Sequence, residues 1–126
     1  MTQTKTLDDV KLELIFHPSD FSGASTVAFV HALKIALVAG TKLTMLHVEA
    51  SPNAEWQDFP GVRDTLEQWG LIPKDTPRNA VRQLGIKVAK VLRLSKDTVK
   101  CCLCFLEENP TDLIVLAVSQ REGHMR

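Results

Sequence analysis

The sequence predicts an α/β domain built as a three-layer open parallel sheet with helices on both faces. Three observations carry this. Strand-like and helix-like segments alternate in the order strand, helix, strand, helices, strand, helix, strand, which calls for crossover connections between parallel strands. Two strand-like runs, 41–48 with Leu43, Met45, Leu46 and Val48 and the continuous apolar run 113–118, read as strands covered on both faces. Breakers fall at segment ends, with Pro18, Gly40, Gly85 and Pro110 closing the elements that precede them.

Each element follows in order. Residues 10–17 alternate Leu12, Leu14 and Phe16 with Lys11 and Glu13, a strand that Pro18 stops because proline has no N–H for the ladder. Ser22 serves as N-cap of the next helix, with Asp20 just upstream at its positive end. Val27, Val30, Leu33, Ala36 and Leu37 then recur at helical spacing until Gly40. After the second strand, 49–78 holds four of the six prolines and both tryptophans, Trp56 and Trp69. It reads as a long excursion with a short helix at 62–68, closed by Gly70, and a second from Pro77 to Leu84. Residues 86–94 alternate apolar and polar, which suits an edge strand. Ser95 is placed to cap a helix running to Asn109, with Glu107 and Glu108 exposed at its end.

Composition fits one domain over residues 1–126. Apolar residues make up 44% of the chain, and charged residues 24% with zero net charge, so no basic stripe points to nucleic acid or an anionic membrane. Apolar stretches are far shorter than the roughly 20 residues of a membrane helix, and the polar opening lacks a signal peptide's apolar segment. Cys101, Cys102 and Cys104 crowd into one helix, where they read as small buried hydrophobes and fit a reducing cytoplasm. No paired carboxylates, Walker loop or nucleophile elbow is present, so the chain reads as non-enzymatic.

In open parallel sheets the ligand crevice lies beyond the carboxyl ends of the strands. Residues 17–20, 47–48, 94–95 and 117–123 would converge there. Asp20 is either a helix-start residue or a ligand-side carboxylate, and both roles stand open at this level. His17 and His47 end neighbouring strands, but two ligands do not define a metal site, and none is expected. Trp56 and Trp69 either pin the excursion onto the sheet, contact a partner or form a lid over the crevice.

The stretch Leu14-Ile15-Phe16-His17-Pro18-Ser19-Asp20-Phe21-Ser22, with Ala24-Ser25 after it, resembles the opening strand and turn of universal stress proteins. Residues 41–48 resemble their second strand and residues 111–116 their fourth, in family order and spacing. The resemblance implies strand order 3-2-1-4-5 and, in one branch, ATP or AMP at the strand ends. Pro18, Ser19 and Asp20 would then flank adenine and ribose, and Val48 would offer backbone groups to the base. Leu116, Ala117 and Gln120 would lie along the phosphate loop. That loop is glycine-rich in the ATP-binding branch, whereas Ala117 and Gln120 stand at its glycine positions here. A Cβ there crowds the space in which backbone N–H groups approach phosphate. The expectation is therefore a stress-response or regulatory module with weak or absent adenine-nucleotide binding, the alternative being an ATP-binding relative with slow hydrolase or transferase activity. The family's last helix and fifth strand have no counterpart before Arg126. The open fourth strand is accordingly expected to be covered, by a second copy in a homodimer or by residues beyond Arg126.

Overall fold

The computed structural model describes residues 12–75, 77 and 80–117. Four strands form one parallel sheet: β1 (Leu14–Pro18), β2 (Lys42–Glu49), β3 (Lys87–Leu94) and β4 (Leu113–Ile114), in the order β3-β2-β1-β4. Helices α1 (Gly23–Ala39), α2 (Val62–Gln68), α3 (Ala80–Gln83) and α4 (Thr98–Glu108) connect them, with a 3₁₀ turn at Trp56–Asp58. In register, Ile15 faces Leu43 and Leu113, and Phe16 faces Thr44 and Ile114. The strand at 86–94 is at the edge, as its half-polar alternation predicts.

Two apolar clusters flank the sheet. On one side Ile15, Leu43 and Met45 meet Phe29, Ala32, Leu33 and Ala36 of α1 and Val62 and Leu66 of α2. On the other, Phe16 and Leu46 meet Phe105 of α4, with Cys102 and Leu106 at its margin. The Phe16 and Phe105 rings stack at 5.5 Å. The excursion is docked on the first face, since Phe59, Ile72 and Ala80 are buried in that cluster.

Local signals set several boundaries. Ser22 caps α1 by accepting from Ser25 N at 3.1 Å, and Gly40 ends the helix at φ +63°, where any Cβ would be strained. The helix predicted at 62–68 is α2. Other expectations need correction. The first strand is Leu14–Pro18, with Val10 and Lys11 outside the described residues, and Pro18 ends it as the last ladder residue. The buried face of α1 is Ala28, Phe29, Ala32, Leu33 and Ala36, whereas Val27 is exposed. The face mixes three alanines with Phe29 and Leu33, so burial follows position on the helix and not side-chain bulk alone. The cap of α4 is Asp97, whose carboxylate accepts from Lys100 N at 3.0 Å. Ser95 instead accepts from Asp97 N at 3.1 Å and shapes the turn that delivers the cap. Cys104 is exposed; among the three thiols only Cys102 packs into the smaller cluster, where burial pushes its pKa up.

The fourth strand departs furthest. Leu113 and Val115 pack inward, but Ile114 and Leu116 are 45% and 61% exposed. Among the described residues α4 packs Phe105 on Phe16 and Leu46, and the face of β4 that carries Ile114 is left largely uncovered. Its register is pinned by Asp112, whose Oδ2 accepts from Glu13 N at 2.9 Å and Leu14 N at 3.0 Å. Trp69 packs against the main cluster with Lys34 over its ring, whereas Trp56 stands exposed. One tryptophan therefore pins the excursion and the other does not. Among the described residues no helix is long and apolar enough to cross a membrane.

Candidate functional site

Because β1 is central, the turn after it stands at the carboxyl ends of three adjacent strands. Between β1 and β4 the chain order reverses, which is where such sheets form a crevice. Pro18, Ser19 and Asp20 begin the turn. Ser19 N donates to Leu46 O at 2.8 Å, carrying the ladder one step past β1, and the buried Ser19 Oγ accepts from Phe21 N at 3.2 Å. Phe21 takes φ +65°, unusual for a side chain of this size. That conformation swings its ring onto His47, with centroids 3.9 Å apart, and edge-on to Phe59 at 5.1 Å.

Asp20 is engaged locally. Its Oδ1 accepts from Ser25 Oγ at 2.6 Å and from Ser22 N at 2.9 Å. Ser25 Oγ in turn accepts from Asp20 N at 3.2 Å. These donors to the carboxylate, Ser22 first and then Ser25, hold the Asp20 pKa down to about 2.

Both histidines bind neighbouring chain segments. His17 is fully buried, and its Nδ1 pairs with Val115 O at 2.9 Å, tying β1 to the end of β4. Its Nε2 has no hydrogen-bond partner among the described residues. Burial pushes its pKa down, against the opposing pull of the Val115 and Ser25 backbone and the Asp20 charge. His47 Nδ1 pairs with Ser19 O at 2.7 Å, and its Nε2 lies 3.2 Å from Glu49 Oε2. Glu49 also accepts from Ala54 N and Asn53 N, which lower its pKa and fold the chain back after β2. Among the described residues no group of three or more His, Cys, Asp or Glu is placed to hold a metal.

Val48 is half-buried against the smaller cluster. Leu46 O accepts from the β1 side and Glu49 O from Ser95 on the β3 side, so ladder alternation turns Val48 N–H and C=O toward β1, past its last residue. Leu116 is exposed and Ala117 half-buried beyond β4, while Gln120 lies outside the described residues. Sequence reading missed Phe21 and Glu49. No residue pattern announces a positive φ at phenylalanine, and Glu49 acts on N–H groups of a loop without regular structure.

The β3-β2-β1-β4 order with its β1/β4 crevice defines an open, doubly wound α/β domain. No family profile matches the sequence, and no curated protein sequence does. Among solved structures, the chain is similar to the universal stress protein UspA from Lactobacillus plantarum, at 25% identity and TM-score 0.50, covering 93% of this chain and 85% of that one. It is also similar to a universal stress protein family member from Burkholderia pseudomallei, at 20% identity and TM-score 0.54, covering 85% and 82%. A universal stress protein solved in complex with cAMP aligns at 15% identity and TM-score 0.51, over 83% and 71% of the two chains. The chain thus has the UspA-like fold of the universal stress protein family, with four parallel strands in the order 3-2-1-4.

Proposed function

We propose that this chain is a UspA-like regulatory module without catalytic activity, which holds adenine nucleotides weakly or not at all and acts by association with a second copy. The observation that supports this best is the internal use of polar groups at the strand ends. Ser19 O is taken by His47, Val115 O by His17, Leu46 O by Ser19 N, and Asp20 Oδ1 by Ser22 and Ser25. A ligand that read these groups would share acceptors already committed to protein donors, and each shared bond would be weaker than one to a free group. Ala117 and Gln120 at the glycine positions of the family's phosphate loop point the same way. Phosphoryl transfer depends on positioned phosphates and their metal ion, which such a loop does not favour.

The second reading is an adenine-nucleotide-binding protein with slow hydrolase or transferase activity. It is favoured by Val48, whose backbone groups face the crevice, and by the fold neighbour solved with cAMP. Calorimetric titration with ATP, AMP, cAMP and adenosine in the presence of Mg²⁺ separates the two. The expected result is ATP affinity within tenfold of adenosine. A preference for ATP beyond tenfold, about 1.4 kcal/mol, would mean that the loop grips phosphate, and the first reading would fail.

A further inference from the structure

We propose that the cleft between β3 and residues 56–64 binds a small planar organic anion, an aromatic ring carrying a phosphate or a carboxylate. The cleft encloses about 670 Å³, within the range of roughly 300–1,000 Å³ typical of small-molecule sites. Its lining shares no residue with the strand-end crevice, so the proposal stands apart from nucleotide binding there.

Lys90 is the first reason. Ile86, Val88 and Leu92 alternate along the same face of β3 and pack against the main core, and Lys90 interrupts that row. Its ammonium sits 5.9 Å over the Phe59 ring. Burial pushes its pKa down, with Asp64 the opposing charge, so the site disfavours this cation more than it compensates it. Among the described residues Asp64 shares the cleft with the further cations Arg82 and Lys87. An anion between them would meet attraction strengthened by partial exclusion of water.

Trp56 is the second reason. It lines the same cleft and is 58% exposed, with one neighbour at its ring among the described residues. Its ring stacks on the buried Phe59 at 6.5 Å with 18° between planes. Asp58 Oδ2 accepts from Glu55 N at 2.8 Å and braces the turn that carries it. An exposed aromatic plane with two rotatable side-chain bonds presents stacking area at modest ordering cost. Ring recognition by Trp56 and charge recognition by Lys90 and its neighbours thus share one opening.

An inward lysine on an edge strand also discourages strand pairing, and the test must separate that role from ligand binding. The probes are phenyl phosphate and benzoate, titrated into the full chain while the Trp56 indole N–H resonance is followed by NMR and assigned with Trp56→Phe. Benzyl alcohol and inorganic phosphate are the controls. A saturable shift is expected with at least one anion, at least tenfold tighter than with either control, and which acid binds identifies the anionic group. Lys90→Gln should weaken that binding at least tenfold. No saturable shift with either anion, or equal affinity for benzyl alcohol, overturns the proposal. So does unchanged affinity in Lys90→Gln, and self-association of that variant would then mark the lysine as an edge guard. If Lys90→Gln does not fold, Arg82→Gln at an exposed position decides: weakening of threefold or more supports the proposal, and unchanged affinity overturns it.

Discussion

Asp20→Asn tests whether the carboxylate at the end of β1 builds the turn or serves a ligand. In the folded chain Ser25 Oγ and Ser22 N donate to Oδ1 at 2.6 and 2.9 Å, and the Asp20 pKa falls from 3.8 to about 2. That difference corresponds to about 2 kcal/mol, a tenfold change in proton affinity being about 1.4 kcal/mol. Asp20 is exposed, so solvent screening reduces this to about 1 kcal/mol. A depressed carboxylate pKa stabilises the fold above the unfolded value, and that contribution is lost as pH falls from 3.8 toward 2. Asparagine keeps an acceptor oxygen but loses the charge, so it should be less stable by about 1 kcal/mol above pH 5. The gap should close near pH 2, where the wild-type carboxylate is also protonated. Urea unfolding from pH 2 to 7 measures it, as a midpoint shift of about 0.5–1 M for an m-value of about 1–2 kcal/mol/M. A gap that stays constant with pH, or no gap at pH 6, would refute the turn role. Adenosine titration of the same variant completes the test, because a turn residue leaves affinity unchanged whereas a ligand-side carboxylate does not.

Two further outcomes follow from the same geometry. Leu116→Lys, at a position 61% exposed beside the open β4 edge, should shift the proposed dimer toward monomer in light scattering at micromolar concentration; an unaltered oligomer would place the interface elsewhere. Val115 is unsuitable for that purpose because it packs into the main core. Burial lowers the His17 pKa, so the fold should lose stability as pH drops below the ordinary value of 6.5 and through the folded pKa. His17→Leu should flatten that part of the stability–pH curve, and an unchanged slope would show that His17 is not its source.

Much of the fold follows from interactions within a few residues, and those parts are legible in the sequence alone. Ser22 and Gly40 bound α1 because a side-chain oxygen and a left-handed backbone are needed at those ends. Gly70 and Gly85 take positive φ beyond the helices they close, as their spacing predicts. The alternation of 86–94 announces an edge strand because one face of it is less covered. The family resemblance adds the order of the sheet, which no local signal contains. Tertiary structure decides what covers each face and what each polar group binds. Ile114 and Leu116 read as core residues, yet whether they are covered depends on how far a helix from elsewhere in the chain extends. Val27 and Ala28 are both apolar, and only the docking of α1 on the sheet buries the alanine and leaves the valine exposed. His17 meets Val115 across 98 residues of sequence, a pairing set by parallel register and not by spacing. Lys90 belongs to the second group, since its cleft and its aromatic neighbours exist only once the excursion folds back onto β3. Helix caps and turns form within a few residues of chain, while burial and side-chain pairing belong to segments that only the folded sheet brings together.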